Sequence, residues 1–173
     1  MEVNGSGQIE GTLCFFVRDY RVLLAWKTRN IAEGTLNGYG GGREGNESFE
    51  ECCAREVFDE CGIRVKKEYL RQFGIVYFHN QRPDGEFFIV KVIVFVAVKW
   101  EGEPKESVEM ASPRWYSIHE LPIRDMMPGD RFWFPEIMVK AKKIIAHVWQ
   151  NLVQKKLLRP VEIREVESFS END

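Results

Sequence analysis

The stretch GGREGNESFEECCAREVFDECGI, residues 41–63, carries the strongest local signals in the chain. Ser48 followed three residues later by Glu51 is the pattern of a capping box, in which each side chain accepts a hydrogen bond from the other's backbone N–H. Gly62 stands where a left-handed cap commonly ends a helix, because glycine adopts positive φ without steric penalty. The stretch therefore predicts an α-helix over residues 48–61. A loop precedes it at residues 34–45, where six of twelve positions are glycine.

Three acidic side chains on the predicted helix point in a similar direction. At 100° per residue, Glu56, Asp59 and Glu60 fall within about one third of the helix circumference. Carboxylates near a helix C-terminus oppose the helix dipole at roughly 0.3–1 kcal/mol each, and they also repel one another. A bound Mg²⁺ or Mn²⁺ ion would turn this repulsion into attraction, since both ions prefer hard oxygen ligands. For the three acids taken alone, the alternative is a solvated acidic face with Arg55 pairing locally.

The wider spacing of this stretch resembles a known family signature. Gly41, five residues, Glu47, seven residues and then REVFDECGI at residues 55–63 are similar to the Nudix box, G-x5-E-x7-R-E-U-x-E-E-x-G-U, where U is aliphatic. Asp59 stands where the family has glutamate. The resemblance implies an α+β Nudix fold, an α/β/α sandwich with a mixed sheet. In that fold the box forms a loop–helix–loop that holds divalent cations against a diphosphate.

The Nudix resemblance also assigns roles to residues in and near the box. The implied metal ligands are Glu56, Asp59, Glu60, Glu109 and Gly40, the last through its carbonyl. The implied catalytic residues are Glu56, Glu60, Arg55 and Glu109, with Arg55 and Glu47 bracing the box and orienting the acids. Mg²⁺ is the implied cofactor, with Mn²⁺ as the alternative. Glu56, Glu60 and Glu109 are all candidates to accept the proton of the attacking water, and the sequence does not choose among them.

Similarity beyond the box points to one branch of the family. Motifs at residues 21–24, 37–41, 106–110, 115–116 and 125–135 resemble the oxidised-purine nucleoside triphosphatases, the MutT homologues known from animals. The resemblance implies hydrolysis of a purine nucleoside triphosphate, such as 8-oxo-dGTP, to the monophosphate and pyrophosphate, which removes damaged nucleotides from the pool. The implied substrate-binding residues are Thr12, Lys27, Asn37, Gly41, Tyr77, Met110, Met127, Asp130 and Trp133.

Several of these residues also have simpler interpretations. Tyr77 and Trp133 are residues that ordinary core packing uses, and Asn37 in a glycine-rich segment is typical of a turn. Gly129 and Met127 depart from the animal enzymes, which have an aspartate and a tryptophan there, so other modified purines or a broader nucleotide range stay open. Two further alternatives are a Nudix hydrolase of ADP-ribose or dinucleoside polyphosphates, and a Nudix module that binds a nucleotide without cleaving it.

Hydrophobic patterns predict the remaining elements. Apolar, β-branched and aromatic runs predict a hairpin over residues 12–17 and 21–26, long strands at 70–79 and 86–98, and shorter strands near 115–118 and within 160–169. The helical spacing of Ile137, Ala141, Ile144, Ile145 and Val148 predicts a second amphipathic helix. The irregular order of these elements predicts a mixed sheet with helices on both faces.

Composition limits the classes of function. The 173 residues fit one domain, predicted as residues 1–173 with its core at about residues 9–168. A net charge of −3 argues against duplex nucleic acid as a partner, and the longest apolar run, residues 87–98, is too short to span a membrane. The first five residues lack the pattern of a secretory signal, and four cysteines without metal or disulfide spacing indicate reduced thiols in a cytoplasmic protein. We expect a small-molecule nucleotide as the partner, bound by a monomer or small homo-oligomer.

Overall fold

The computed structural model describes residues 8–170 and 173, so the expected lack of a secretory signal concerns residues outside the described part of the chain. The elements are β1 (Ile9–Arg18), β2 (Arg21–Lys27), β3 (Leu36–Asn37), α1 (Phe49–Cys61), β4 (Leu70–Gln81), β5 (Phe87–Ala97), β6 (Met110–Ser117), α2 (Asp130–Met138), β7 (Ile144–Asn151) and β8 (Glu162–Glu165). Short 3-10 helices occupy Lys67–Tyr69 and Ile123–Asp125. Neither α-helix in the described residues is long enough to span a membrane.

The strands form one mixed sheet, as the sequence predicts. The order of seven strands is β3-β2-β1-β5-β4-β7-β8. The eighth strand, β6, pairs with β2 and lies outside this order. β1 runs parallel to β5 and β4 parallel to β7, whereas β4 with β5 and β7 with β8 are antiparallel. The predicted hairpin, the two long strands and both shorter strands are confirmed, with somewhat different ends.

The hairpin strands β1 and β2 pair only at their turn, and the glycine-rich loop fills the gap beyond it. Val17 pairs with Val22 and Arg18 with Arg21. Farther along β1, Cys14 exchanges two backbone hydrogen bonds with Tyr39 of the loop, at 2.7 and 3.0 Å. The loop is therefore held against β1 by strand-like hydrogen bonds.

Each face of the sheet is covered by one of the two α-helices. Alternate residues of the strands point to opposite faces: Ile75 and Ile93 pack in the cluster that contains the α1 residues Cys53 and Val57. Val76, Val94 and the α2 residues, among them Phe134, pack in the other cluster. This arrangement confirms the predicted α/β/α sandwich.

Helix α1 is capped as the sequence predicts. The Ser48 hydroxyl accepts a hydrogen bond from the Glu51 backbone N–H, and the Glu51 carboxylate accepts one from the Ser48 N–H, at 3.2 and 2.8 Å. Gly62 has φ of 74° and donates its N–H to the carbonyl of Phe58. The helix boundaries are local properties of the sequence, which is why the prediction and the structure agree.

The predicted second helix through Ile137 and Val148 is wrong. Its first residues belong to the end of α2, and Ile144–Asn151 is strand β7. Strand β7 lies between β4 and β8, so Ile144 and Ile145 are buried on opposite faces of the sheet. A strand buried on both faces has no polar alternation, so its apolar run matched helical spacing.

Candidate active site

Two carboxylates of α1 lie against the glycine-rich loop. Glu60 Oε2 accepts a 2.8 Å hydrogen bond from the Gly40 backbone N–H. A Cβ placed on Gly41 would lie 2.4 Å from the Glu56 carboxylate, and one on Gly40 would lie 2.1 Å from the carbonyl oxygen of Thr12. A side chain at Gly40 would therefore push the loop away from the backbone of β1, whereas a side chain at Gly41 would displace the Glu56 carboxylate.

Arg55 ties the loop to the helix. Its guanidinium donates to both carboxylate oxygens of Glu47 at 2.6 and 3.1 Å and to Glu56 Oε1 at 2.7 Å. It also donates to the carbonyl of Gly42 at 3.0 Å. The Arg55 guanidinium lowers the pKa of the Glu47 carboxyl, and the two carboxylates raise the pKa of Arg55. These contacts are the bracing geometry that the sequence suggested for Arg55 and Glu47.

Lys27 on β2 lies between two acids that are distant in sequence. Its ammonium group is 3.1 Å from Glu60 Oε1 and 3.7 Å from Glu109 Oε2. Arg29 also forms an ion pair with Glu109 and lowers the pKa of that carboxyl. Glu60 is only 5% exposed, and burial raises its pKa while Lys27 opposes that shift. Glu109 is therefore placed across from α1, as the resemblance implied.

A cleft of about 230 Å³ opens beside these acids. Its lining residues are Gly11, Thr12, Leu13, Lys27, Ile31, Ala32, Asn37, Gly40, Gly41, Gly42, Phe78, Val90, Val92, Met127, Asp130 and Gln154. We refer to this cavity as the cleft. It brings together seven of the residues singled out from the sequence: Thr12, Lys27, Asn37, Gly40, Gly41, Met127 and Asp130.

Three of the proposed substrate-binding residues lie elsewhere. Tyr77 is on the α1 face of the sheet, where its ring stacks on His147 with centroids 4.9 Å apart. Met110 and Trp133 are completely buried and do not line the cleft. Trp133 acts on the cleft only through Asp130, whose Oδ1 accepts a 3.0 Å hydrogen bond from the indole N–H.

Sequence reasoning missed Phe78 and Gln154, which line the cleft. Phe78 pairs with Val90 and points to the same face as Val76, so strand parity was the signal that could have identified it. Gln154 donates to Asn80 at 3.2 Å and follows β7, which was taken for a helix. No local pattern marks such a residue when its preceding strand is misassigned.

The family assignment follows from a comparison with known proteins. The family profile described as NUDIX domain matches residues 9–137, about three quarters of the chain. The chain belongs to the Nudix family. The match covers β1 to α2, including the glycine-rich loop, α1 and every cleft residue except Gln154.

Sequence relatives place this Nudix chain among characterised hydrolases. An oxidized purine nucleoside triphosphate hydrolase of Danio rerio is 35% identical over 136 residues, covering 79% of this chain and 83% of the relative. The Mus musculus protein of the same name is 32% identical over 158 residues, covering 91% and 96%. Among solved structures, a mutator MutT protein from Bacillus halodurans has a TM-score of 0.76 at 24% identity, covering 90% of this chain and 97% of that chain. The chain is thus a Nudix hydrolase with the fold of MutT proteins.

The donor set of the Nudix box suits a hard divalent cation. Glu56 and Glu60 present carboxylate oxygens beside Gly40 and Gly41, and the loop has no side chain there to cover them. Within residues 8–170 and 173, no three His, Cys, Asp or Glu side chains are gathered closely enough to form a metal-binding group. Asp59 is exposed, and its side chain has no hydrogen bond or ion pair with the described residues. The oxygens of Glu56 and Glu60 are therefore the donors that fit best, with Glu109 adjacent through Lys27.

Two side chains that line the cleft, Asn37 and Asp130, have hydrogen-bonding groups suited to a base. Asn37 accepts a 2.8 Å hydrogen bond from the Gly38 N–H through Oδ1, which leaves its amide N–H groups as donors. Burial raises the pKa of Asp130 to about 7, with the Trp133 indole opposing the shift. Near neutral pH this carboxyl group can therefore act as a hydrogen-bond donor or as an acceptor.

Proposed function

We propose that the protein is a divalent-metal-dependent pyrophosphohydrolase that converts purine nucleoside triphosphates, including oxidised or otherwise modified ones, to the monophosphate and pyrophosphate. The observation that carries this proposal is the lining of the cleft: Asn37 and Asp130 line it together with Gly40, Gly41 and Lys27, which contact the acids Glu56 and Glu60. A nucleotide is the ligand that needs both groups of residues, since it has a charged polyphosphate and a planar base. The names of the Danio rerio and Mus musculus relatives support the same substrate class.

The charged residues beside the cleft are suited to bind a metal ion and a triphosphate. We assign the metal, Mg²⁺ or alternatively Mn²⁺, to Glu56 and Glu60, with Glu109, the Gly40 carbonyl and Asp59 as further ligands. When bound, such an ion lowers the pKa of the attacking water and neutralises phosphate charge. Arg55 keeps Glu56 in a fixed orientation, and Lys27 adds a positive charge between Glu60 and Glu109. One of Glu56, Glu60 and Glu109 accepts the proton from the water.

The base end of the cleft supports purine selection. The Asn37 amide can donate to an acceptor on the base, and Asp130 can donate or accept according to its protonation state. Phe78, Met127 and Ile31 supply apolar contact surface around the ring. Preference for 8-oxo-dGTP, and hence a role in cleansing the nucleotide pool, is part of the proposal.

The proposal also covers the compartment, the domain organisation and the oligomeric state of the protein. The four cysteines are free and buried, which supports a reducing compartment such as the cytoplasm. We propose a single domain over residues 1–173, with its core at about residues 9–168. We expect it to act as a monomer or small homo-oligomer. Size-exclusion chromatography with light scattering would establish the oligomeric state.

The decisive experiment is a substrate panel. Product formation in the presence of Mg²⁺ would be measured by chromatography of the nucleotides for 8-oxo-dGTP, 2-hydroxy-dATP, N6-methyl-dATP, the four unmodified dNTPs, ADP-ribose and a dinucleoside polyphosphate. For the triphosphates, pyrophosphate release would be measured as well. We expect the highest kcat/KM for a modified purine triphosphate. Equal rates on ordinary dNTPs would support the hydrolase activity but contradict a preference for damaged nucleotides. If only ADP-ribose or the dinucleoside polyphosphate were hydrolysed, nucleoside triphosphates would be excluded as the substrate class. If no compound were hydrolysed, the protein would be a module that binds a nucleotide without cleaving it.

A further inference from the structure

A second cavity, of about 530 Å³, lies beside α1. Its lining residues are Ala54, Phe58, Arg64, Val65, Lys66, Tyr69, Lys99, Trp100 and Glu101, and we call it the α1 pocket. Ala54 and Phe58 each stand two positions before an acid of the Nudix box, which places them about 160° from Glu56 and Glu60 around the helix. The α1 pocket and the cleft share no lining residue.

The α1 pocket concentrates positive charge on a chain whose net charge is −3. Arg64, Lys66 and Lys99 line it, against the single lining carboxylate Glu101. Within the described residues, none of these three cations lies within 4.0 Å of a carboxylate oxygen, in contrast to Lys27 at the cleft. Their charge is thus available to an anionic ligand.

Aromatic rings stand beside these cations. The Arg64 guanidinium carbon is 4.8 Å from the centroid of the Phe58 ring, and Lys99 Nζ is 4.6 Å from that of Tyr69. Phe58 is 43% exposed, so part of its ring surface is accessible to a ligand. Trp100 is held in place by an edge contact with Phe16, at a centroid distance of 5.1 Å. The wall of the α1 pocket therefore combines aromatic rings with cations that contact those rings and form no ion pair within the described residues.

We propose that the α1 pocket is a second ligand site, separate from the catalytic cleft, that binds a free nucleotide. The base contacts Phe58, Tyr69 and Trp100, because a planar π-system packs favourably on aromatic rings. The phosphate is bound by Arg64, Lys66 and Lys99, which supply charge-assisted hydrogen bonds. The cavity volume lies in the range of small-molecule sites. Single-stranded nucleic acid offers the same base and phosphate chemistry, but the net negative charge of the chain disfavours a long polyanion.

The proposal is tested by ¹H–¹⁵N NMR titration of the metal-free protein with AMP. We expect saturable shifts of the Trp100 indole N–H and of the Lys66 and Lys99 amides, separate from any shifts of Gly40 and Gly41 in the cleft. Adenosine, which lacks phosphate, and ribose 5-phosphate, which lacks a base, should each bind at least tenfold more weakly there. No shift around the α1 pocket, or equal binding of either fragment, would overturn the proposal.

Charge variants give a second, independent readout. The double variant Arg64→Gln/Lys99→Gln should weaken AMP binding at the α1 pocket at least tenfold and leave the shifts of Gly40 and Gly41 unchanged. The matched control is Arg114→Gln/Arg124→Gln, which removes two exposed charges outside both cavities and should have no effect. Phe58→Ala should also weaken binding. An oligothymidylate of eight nucleotides that binds the α1 pocket tighter than AMP would show single-stranded nucleic acid as the occupant and contradict the free-nucleotide assignment.

Discussion

At the scale of single residues, Glu60 is the carboxylate that the structure holds most firmly. It is buried, accepts from the Gly40 N–H and pairs with Lys27. Glu60→Gln preserves the size and the hydrogen-bond acceptor but removes the charge. We expect the fold to persist and kcat for pyrophosphate release with Mg²⁺ to fall by about 100-fold or more.

The matched control for Glu60→Gln is Glu50→Gln on the same helix. The Glu50 side chain has no hydrogen bond or ion pair with the described residues, and Glu50 does not line the cleft. Its substitution should leave kcat within about twofold of the wild type, a range typical of surface changes. Near-full activity of Glu60→Gln, with a thermal transition like that of the wild type, would refute the metal-binding role.

The raised pKa of Asp130 predicts how the free energy of unfolding depends on pH. Its carboxyl ionises near pH 3.8 when exposed, whereas burial raises the pKa to about 7 in the folded protein. Between these values the folded state binds more protons than the unfolded state, so stability falls as pH rises towards 7 and stays level above it. The effect is on the order of 4 kcal/mol. Asp130→Asn should remove this part of the pH dependence.

The measurement is the free energy of unfolding by urea at pH 5 and pH 8. For Asp130→Asn, the loss of stability between the two pH values should be smaller than for the wild type. Asp125→Asn changes an exposed carboxyl in the preceding 3-10 helix and should keep the wild-type dependence. An unchanged pH dependence in Asp130→Asn would show that another group causes it.

At the scale of elements, the site depends on how closely the glycine-rich loop approaches α1. In Gly41→Ala the new methyl group would meet the Glu56 carboxylate, so we expect kcat to fall at least about tenfold as the acid is displaced. Ser48→Ala instead removes the helix cap and should lower the free energy of unfolding by about 1 kcal/mol. Enzyme assays and urea titrations on both variants separate the two effects. Equal losses of activity in the two variants would contradict the close-approach argument.

The elements also show which predictions a sequence supports. The limits of α1 could be predicted because Ser48, Glu51 and Gly62 act within one turn of the helix ends. Strand β7 could not be predicted from its own sequence, because its burial on both faces depends on β4 and β8, which are separate segments of the chain. The brace of Arg55 and Glu47 was found through the family resemblance, and the structure shows the hydrogen bonds that explain the spacing.

At the scale of the whole molecule, the cleft is assembled from both sides of the sheet. The loop residues Gly40 and Gly41 lie against the acids of α1, whereas Phe78 packs in the cluster covered by α2 and Asp130 is the first residue of that helix. A pattern along one strand shows that neighbouring residues face opposite ways, but not which face a ligand uses. The family resemblance led to Tyr77, whereas in the structure Phe78 lines the cleft.

Truncating Phe78 and Tyr77 in turn tests which face of the sheet the substrate contacts. Phe78→Ala removes apolar surface from the cleft and should raise KM for the preferred nucleotide about tenfold, since a buried aromatic contact is worth one to a few kcal/mol. Tyr77→Ala makes the same kind of truncation on the opposite face, where the ring stacks on His147, so it should reduce stability and leave KM unchanged. Steady-state kinetics and thermal unfolding of both variants provide the comparison. A raised KM in Tyr77→Ala with a normal KM in Phe78→Ala would mean that the substrate binds to the α1 face of the sheet.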